Sequence, residues 1–208
     1  MAVGDIAGPW RVLTLPRVQP AEIGIVADEG VNVLRVRSEA AAGSAAQSLH
    51  ADGHSTLAWR WKIDRVVEKA DLHVKSGDDF AARVYVFFDV PLDEVPFATR
   101  LKLKLLALIH GEPLPTAGIC YVWDNRNAPG TAVWNPYTDR VRTVVLESGN
   151  AQAGRWKEER RDLASDFKAA FGPRAVPAVT GIAAGNDTDQ TGETVTAWFG
   201  DFGLEPAR

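Results

Sequence analysis

The chain has 208 residues, of which 46% are hydrophobic and 24% are charged, and its formal net charge is −4. This length predicts one domain over residues 1–208 with a sizeable core, and the composition excludes a disordered chain. The excess of acidic over basic residues excludes a general nucleic-acid-binding protein. The single cysteine, Cys120, excludes an internal disulfide framework.

Two cellular compartments fit the sequence. No apolar run approaches the roughly 20 residues that span a bilayer, so no transmembrane segment is predicted. The first ten residues, MAVGDIAGPW, lack the basic and apolar regions of a secretory signal. The chain as given is therefore expected in the cytoplasm, or in an exported form whose signal has been removed. The pattern does not indicate an oligomeric state.

Short apolar runs separated by turn residues follow one another along most of the chain. The segment VNVLRVR (31–37) alternates apolar and polar residues with the period of a half-buried strand. Turn-forming residues fill the connections, as in NAPG (127–130). These patterns predict an antiparallel β-sandwich. Its recognisable strands lie at 31–37, 55–63, 81–90, 118–123, 141–148, 179–185 and 194–204.

Two segments depart from the strand pattern and are predicted to be short helical insertions. Residues 97–110 place leucines at helical spacing, although the local alternation LKLKL also fits a strand. Residues 162–171 place apolar residues on one helical face, with Asp162 as the capping residue and Gly172 at the end. The fold class is therefore all-β with minor helices, and the order of elements disfavours a βαβ architecture.

The predicted strand that follows Asp79 carries the most polar face in the sequence. Alternation places Asp79, Arg83 and Tyr85 on one face of the strand, on which neighbouring positions are about 7 Å apart. An acid, a guanidinium and a phenol in line suit a hydroxyl-rich or carboxylate-rich ligand. A structural ion pair between Asp79 and Arg83 is the alternative. Two alternating sets are expected, Asp79, Ala81, Arg83, Tyr85 and Phe87 on the polar face and Phe80, Ala82, Val84, Val86 and Phe88 in the core.

Seven tryptophans raise the question of whether aromatic rings form the core or bind a ligand. Trp59 and Trp61 share one face of a predicted strand and are expected in the core. Trp123, Trp134 and Tyr137 lie around the NAPG and NPY turns, and aromatic residues at strand ends and in loops are often accessible. We therefore expect these three to be available for a ligand.

The loop GNDTDQTGE (185–193) concentrates oxygen ligands and resembles a calcium loop, with Asp187 and Asp189 as the candidate metal ligands. Its spacing is not that of an EF-hand. An Asx-rich turn without metal is the alternative. Asp78, Asp79 or Asp201 can complete a coordination shell only if the fold brings them near.

Several motifs in order resemble a bacterial family of unknown function, DUF3047, over roughly residues 10–204. The resemblance implies a galactose-binding-like, carbohydrate-module jelly roll and an exported, periplasmic location, but no activity. The loop at 185–193 differs from the TDTDNTG pattern of similar proteins at Asn186 and Gln190, which weakens a strict metal assignment. The motifs are LAWRWK (57–62), GDDFAARVYVFF (77–88), ICYVWDN (119–125), NPY (135–137), GRWKEERRD (154–162), DFKAAFG (166–172), GIAAGNDTDQTGE (181–193) and AWFGDF (197–202).

Three functions remain open from the sequence. The first is a non-catalytic jelly-roll module that binds a glycan or another small polyhydroxylated ligand, with no catalytic residues and no cofactor beyond a structural calcium ion. The second is a glycan-acting hydrolase or lyase with Asp79 as acid or base and Arg83 as the substrate-binding group, which requires a second carboxyl group nearby. The third is a structural or partner-binding protein of the cell envelope. We favour the first.

Overall fold

In the computed structural model, which describes residues 8–91, 93 and 116–206, twelve strands form two β-sheets that pack face to face. The larger sheet has the order β1-β4-β11-β6-β7-β9-β8, and the smaller has the order β10-β5-β12-β3-β2. The strands are β1 (Trp10–Leu13), β2 (Glu22–Asp28), β3 (Val31–Glu39), β4 (Ala42–Ala51), β5 (Thr56–Ile63), β6 (Phe80–Phe88), β7 (Ala117–Asp124), β8 (Ala132–Trp134), β9 (Val141–Ser148), β10 (Lys157–Asp162), β11 (Val179–Asp187) and β12 (Thr194–Glu205).

The strand order shows a jelly-roll sandwich, as the sequence predicts. Strands that neighbour each other in space are mostly distant along the chain, because the chain crosses repeatedly between the two sheets. Neighbouring strands are antiparallel, apart from the parallel pair β7 and β9. All seven predicted strands are present. The strands that the pattern did not reveal include β4, whose sequence AGSAAQSLHA lacks β-branched and aromatic residues.

The core lies between the sheets and contains Trp59 and Trp61, as predicted. Trp59 and Trp61 are 2% and 0% exposed. Their rings pack edge to face with centroids 5.6 Å apart, an arrangement that aromatic pairs favour. Val84 and Val86 of β6 and Val195 of β12 belong to the same buried cluster.

One of the two predicted helices is confirmed. Helix α1 (Leu163–Phe171) begins after Asp162, whose carboxylate accepts hydrogen bonds from the backbone N–H groups of Ala164 and Ser165. Phe167 anchors the helix on the core, with its ring 4.9 Å from that of Phe88. The helix predicted at 97–110 lies outside the described residues. Within the described part of the chain, no helix is long and apolar enough to cross a membrane.

A bulge near the start of β6 alters the predicted alternation. Ala81 and Ala82 stand opposite the single residue Asn186 of β11, so the faces of β6 change over at this point. Phe80 therefore packs with the apolar cluster on the outer face of the larger sheet, and Ala81 belongs to the core. The prediction that Phe80 lies in the core and Ala81 beside Arg83 is wrong for this reason. The alternation holds from Ala82 to Phe88.

Candidate functional site

A cleft of about 590 Å³ lies on the outer face of the larger sheet. One side of its floor is the β6 row Arg83, Tyr85 and Phe87. The β11 residues opposite this row are small, namely Gly185, Ala183 and Gly181, and so are their partners on β4, namely Ser44, Ala46 and Ser48. Because large side chains stand beside very small ones, the sheet surface forms a groove.

Two parallel aromatic rings line the apolar part of the cleft. The rings of Tyr85 and Phe87 have centroids 5.7 Å apart and differ in plane by only 10°. Phe87 pairs with glycines on both neighbouring strands, Gly181 and Gly118. A Cβ atom on either glycine would lie 3.4 to 3.6 Å from the Phe87 ring. The two glycines therefore flank the ring on both sides, and a methyl group on either one would contact it at an ordinary van der Waals distance.

Arg83 organises the polar end of the cleft. Its Nη1 donates to the Tyr85 hydroxyl at 2.8 Å, and its Nη2 donates to the Asp78 carbonyl at 2.7 Å and to the Asp187 carboxylate. Although burial lowers the pKa of Arg83, the carboxylate of Asp187 raises it well above the ordinary value. The guanidinium therefore stays charged and fixed. The structural ion pair between Asp79 and Arg83, which was the alternative expectation, is not formed, because Arg83 pairs with Asp187.

Three carboxylates meet at this end. One oxygen atom from each of Asp79, Asp187 and Asp189 lies within 4.8 Å of the others. Burial raises the pKa of the Asp187 carboxyl to about 7 even though Arg83 lowers it, and the charge of Asp79 acts in the same direction as burial. Burial and Asp79 also raise the pKa of Asp189.

Asp79 itself is fully buried and holds the loop that follows β11. Its carboxylate accepts hydrogen bonds from the backbone N–H groups of Gln190 at 3.5 Å and Thr191 at 2.7 Å. With both oxygens engaged by the backbone, Asp79 positions the loop and does not face the open cleft.

The turn that follows β8 supplies one wall of the cleft. The Asn135 side chain donates to Asp78 Oδ2 at 3.0 Å, which ties this turn to the polar end. Tyr137 is 52% exposed, and its hydroxyl donates to the backbone carbonyl of Lys75. Leu13 and Leu15 form the opposite wall and are also exposed. The cleft is therefore open to solvent.

The structure brings together four of the six predicted ligand-binding residues, because Arg83, Tyr85 and Tyr137 line the cleft and Asp79 lies directly behind it. The prediction that Trp123 is accessible is wrong. Trp123 is 1% exposed inside β7, every residue of which is buried, and its ring lies 6.0 Å from that of Trp61. Its position near a turn does not expose it, because both faces of β7 are covered.

Trp134 is 41% exposed but lies away from the cleft. Its neighbour Val133 packs with the apolar cluster on the cleft side of the sheet, so Trp134 points to the opposite face. Its ring contacts Phe171 of α1 and the guanidinium of Arg142. The structure therefore separates Trp134 from Tyr137, although only two residues lie between them.

Three residues that were not predicted as site residues also line the cleft, namely Phe87, Asn135 and Gln190. The period-two pattern already placed Phe87 on the face of Arg83 and Tyr85, so this residue could have been found. The other two lie in turns, whose position depends on tertiary packing. Of the residues considered for completing the Asp187–Asp189 group, Asp79 joins it and Asp78 lines the same cleft, whereas Asp201 pairs with Arg60 on the smaller sheet.

Comparison with known proteins identifies a family and a fold. The sequence model of the family described as protein of unknown function (DUF3047) matches residues 8–203. No curated protein matches the chain. The structure is similar to the family 12 xyloglucanase from Bacillus licheniformis, with a TM-score of 0.51 and 9% identity over 94% of this chain and 92% of that one. It is also similar to the endo-1,4-β-glucanase CelB2, a cellulase, with a TM-score of 0.51 and 14% identity over 98% and 95% of the two chains.

Proposed function

This chain belongs to the DUF3047 family of unknown function, and we propose that it is a non-catalytic module that binds a carbohydrate or another polyhydroxylated ligand in the cleft. The main support for this proposal is that one open cleft combines the parallel rings of Tyr85 and Phe87 with a polar end built around Arg83. Its volume of about 590 Å³ lies in the range of small-molecule sites.

The chemistry of the two ends supports such a ligand. A sugar ring has an apolar C–H face, which packs on an aromatic plane, and a rim of hydroxyl groups, which need hydrogen-bond partners. Tyr85 and Phe87 offer the plane. The carboxylates of Asp187 and Asp189 and the amide of Asn135 offer acceptors and a donor. The fold that this chain shares with family 12 glycoside hydrolases makes gluco-oligosaccharides reasonable first probes.

The test is titration calorimetry with cellohexaose and a xyloglucan oligosaccharide, preceded by a glycan array. Tyr137→Ala removes an exposed ring at the cleft wall, and we expect it to weaken binding roughly 2- to 10-fold. Trp134→Ala is the matched control, since it removes an exposed ring outside the cleft and should leave affinity unchanged. The proposal is overturned if no glycan binds, or if Trp134→Ala weakens binding and Tyr137→Ala does not.

A glycan-acting hydrolase or lyase in the same cleft is the second candidate. The observation that favours it is that Asp187 and Asp189 both line the cleft with carboxylate oxygens within 4.8 Å of each other. Paired carboxyl groups at roughly 5 Å serve retaining glycosidases. Asp79 would then position the loop, because backbone N–H groups occupy its oxygens. An assay for reducing ends decides between the candidates, since turnover that disappears in Asp189→Asn supports the enzyme and binding without turnover supports the module.

A further inference from the structure

The geometry points to a divalent-cation site at the polar end of the cleft, in which Asp79, Asp187 and Asp189 hold a hard, oxygen-liganded ion of the calcium class beside the buried carboxylate of Asp78. The site lies where the turn before β6 meets the loop after β11. It does not depend on the carbohydrate proposal, because the carboxylates and their neighbours alone define it.

The separation of the carboxylate oxygens fits one ion. Oxygen ligands lie about 2.3–2.6 Å from Ca²⁺, so two ligands on opposite sides of the ion are roughly 4.6–5.2 Å apart. One oxygen each from Asp79, Asp187 and Asp189 lies within 4.8 Å of the others. All three can therefore reach the same ion without a large movement of the backbone.

A second observation is independent of the three-carboxylate group. Asp78 is only 7% exposed, and its Oδ1 atom is buried without a hydrogen-bond partner among the described residues. Asp78 lines the same cleft as Asp187 and Asp189, and Arg83 Nη2 bridges the Asp78 carbonyl to the Asp187 carboxylate. A buried carboxylate oxygen that lacks a partner is costly, and a cation beside it removes that cost.

Two further buried oxygens at this end lack a partner within the described part of the chain. They are Oδ1 of Asp189 and the hydroxyl of Thr191. Thr191 lies two residues after Asp189, and its backbone N–H donates the hydrogen bond by which Asp79 holds this loop. Buried oxygens without a partner therefore lie on both of the segments that carry the carboxylates, and oxygen is the ligand type that Ca²⁺ prefers.

The balance of charge points the same way. Four carboxylates line or adjoin this end, whereas the guanidinium of Arg83 is bonded to one of them, Asp187. Like charges at this distance repel each other strongly in a partly buried site. A divalent cation offsets this repulsion, which a further neutral hydrogen-bond donor does not.

The experiment uses the full chain, treated with a chelator that is then removed. CaCl₂ alone is titrated into this protein by calorimetry, and its thermal unfolding is measured with and without calcium. We expect binding with a Kd at or below about 1 mM and a rise in Tm with added calcium. Asp189→Asn removes one charged ligand and Asp78→Asn removes the neighbouring buried charge, and each should weaken binding at least roughly tenfold. Asp201→Asn is the matched control, since its carboxylate is exposed on the smaller sheet, and it should bind calcium as the wild type does.

The outcomes separate clearly. Absence of heat and of a Tm shift in the wild type at about 1 mM calcium overturns the site. Equal calcium binding by the wild type and both cleft variants also overturns it, because the ion then binds elsewhere. Loss of calcium binding in either folded cleft variant, with retention in Asp201→Asn, supports it. Because this assay contains no sugar, a negative result overturns the calcium site only. The carbohydrate proposal is tested separately by the glycan titration.

Discussion

Arg83 and Asp187 form an ion pair that the protein encloses almost completely, with 7% and 13% of their side chains exposed. The pair joins β6 to the end of β11 at the polar end of the cleft. A buried ion pair of this kind contributes more to fixing geometry than to net stability, whereas removal of one partner leaves an uncompensated charge.

Arg83→Met is therefore expected to destabilise the protein by about 3–5 kcal/mol, measured by urea unfolding near pH 8. The substitution keeps much of the side-chain volume but leaves the carboxylates of Asp187 and its neighbours without their guanidinium. Arg160→Met is the control, because Arg160 forms its ion pair with Glu205 in solvent. Stability of Arg83→Met equal to that of the control would contradict a structural role for the pair.

Gly185→Ala is expected to destabilise the protein by about 1–3 kcal/mol, because β11 and β4 approach too closely there for a side chain. A Cβ atom on Gly185 would lie 2.2 Å from the Gly43 carbonyl oxygen and 2.5 Å from the Ser44 hydroxyl. Thermal and urea unfolding measure the effect. Gly203→Ala serves as the comparison, since a Cβ atom there meets no atom within 4 Å. Similar losses in both variants would show that close approach is not the cause.

Glu159 makes stability depend on pH. The pKa of its carboxyl is raised to about 7, mainly by burial and also by the charge of Glu147. The hydrogen bond from the Trp61 N–H and the cations Arg161 and Lys157 lower this pKa but do not offset the rise. The folded state therefore holds this proton to higher pH than the unfolded state does, so stability falls as pH rises from about 4.5 to about 7.

Glu159→Gln removes this titration while keeping an oxygen that accepts the Trp61 N–H. The free energy of unfolding of the variant, relative to that of the wild type, should rise by about 1–2 kcal/mol between pH 5 and pH 8. This is less than the full pKa shift corresponds to, because solvent partly screens the group. Urea unfolding across this range measures the difference. Glu158→Gln, on the exposed face of the same strand, should show a flat difference. A flat difference for Glu159→Gln as well would refute the linkage.

Trp123→Ala is expected to cost about 3–5 kcal/mol, because it empties space in the core beside Trp61. It also removes the hydrogen bond from Trp123 Nε1 to the Gly149 carbonyl. Trp134→Ala, at an exposed ring, should have a much smaller effect on the urea midpoint. A small effect for Trp123→Ala would mean that the strand is not covered on both faces.

Local periodicity explains how much of the fold was predictable. Alternation in β3, β5 and β6 reflects the backbone geometry of a single strand, so it is visible without knowledge of the neighbours. The same holds for Asp162 as the cap of α1, whose hydrogen bonds lie within three residues. The pattern does not reveal β4, because its alanines and serines carry no strand signal of their own and its pairing with β1 and β11 joins segments that are distant along the chain.

By itself, the sequence determined the β-sandwich class, the family resemblance and the shared face of Arg83, Tyr85 and Phe87, because each depends on short-range pattern. Only the tertiary structure decided which aromatic rings are accessible and which carboxylates meet. Trp123 is buried because strands and sheets cover it from both sides, and Asp79 meets the loop at Thr191 across 112 residues of chain. Such contacts arise from the packing of distant segments, which no local periodicity encodes.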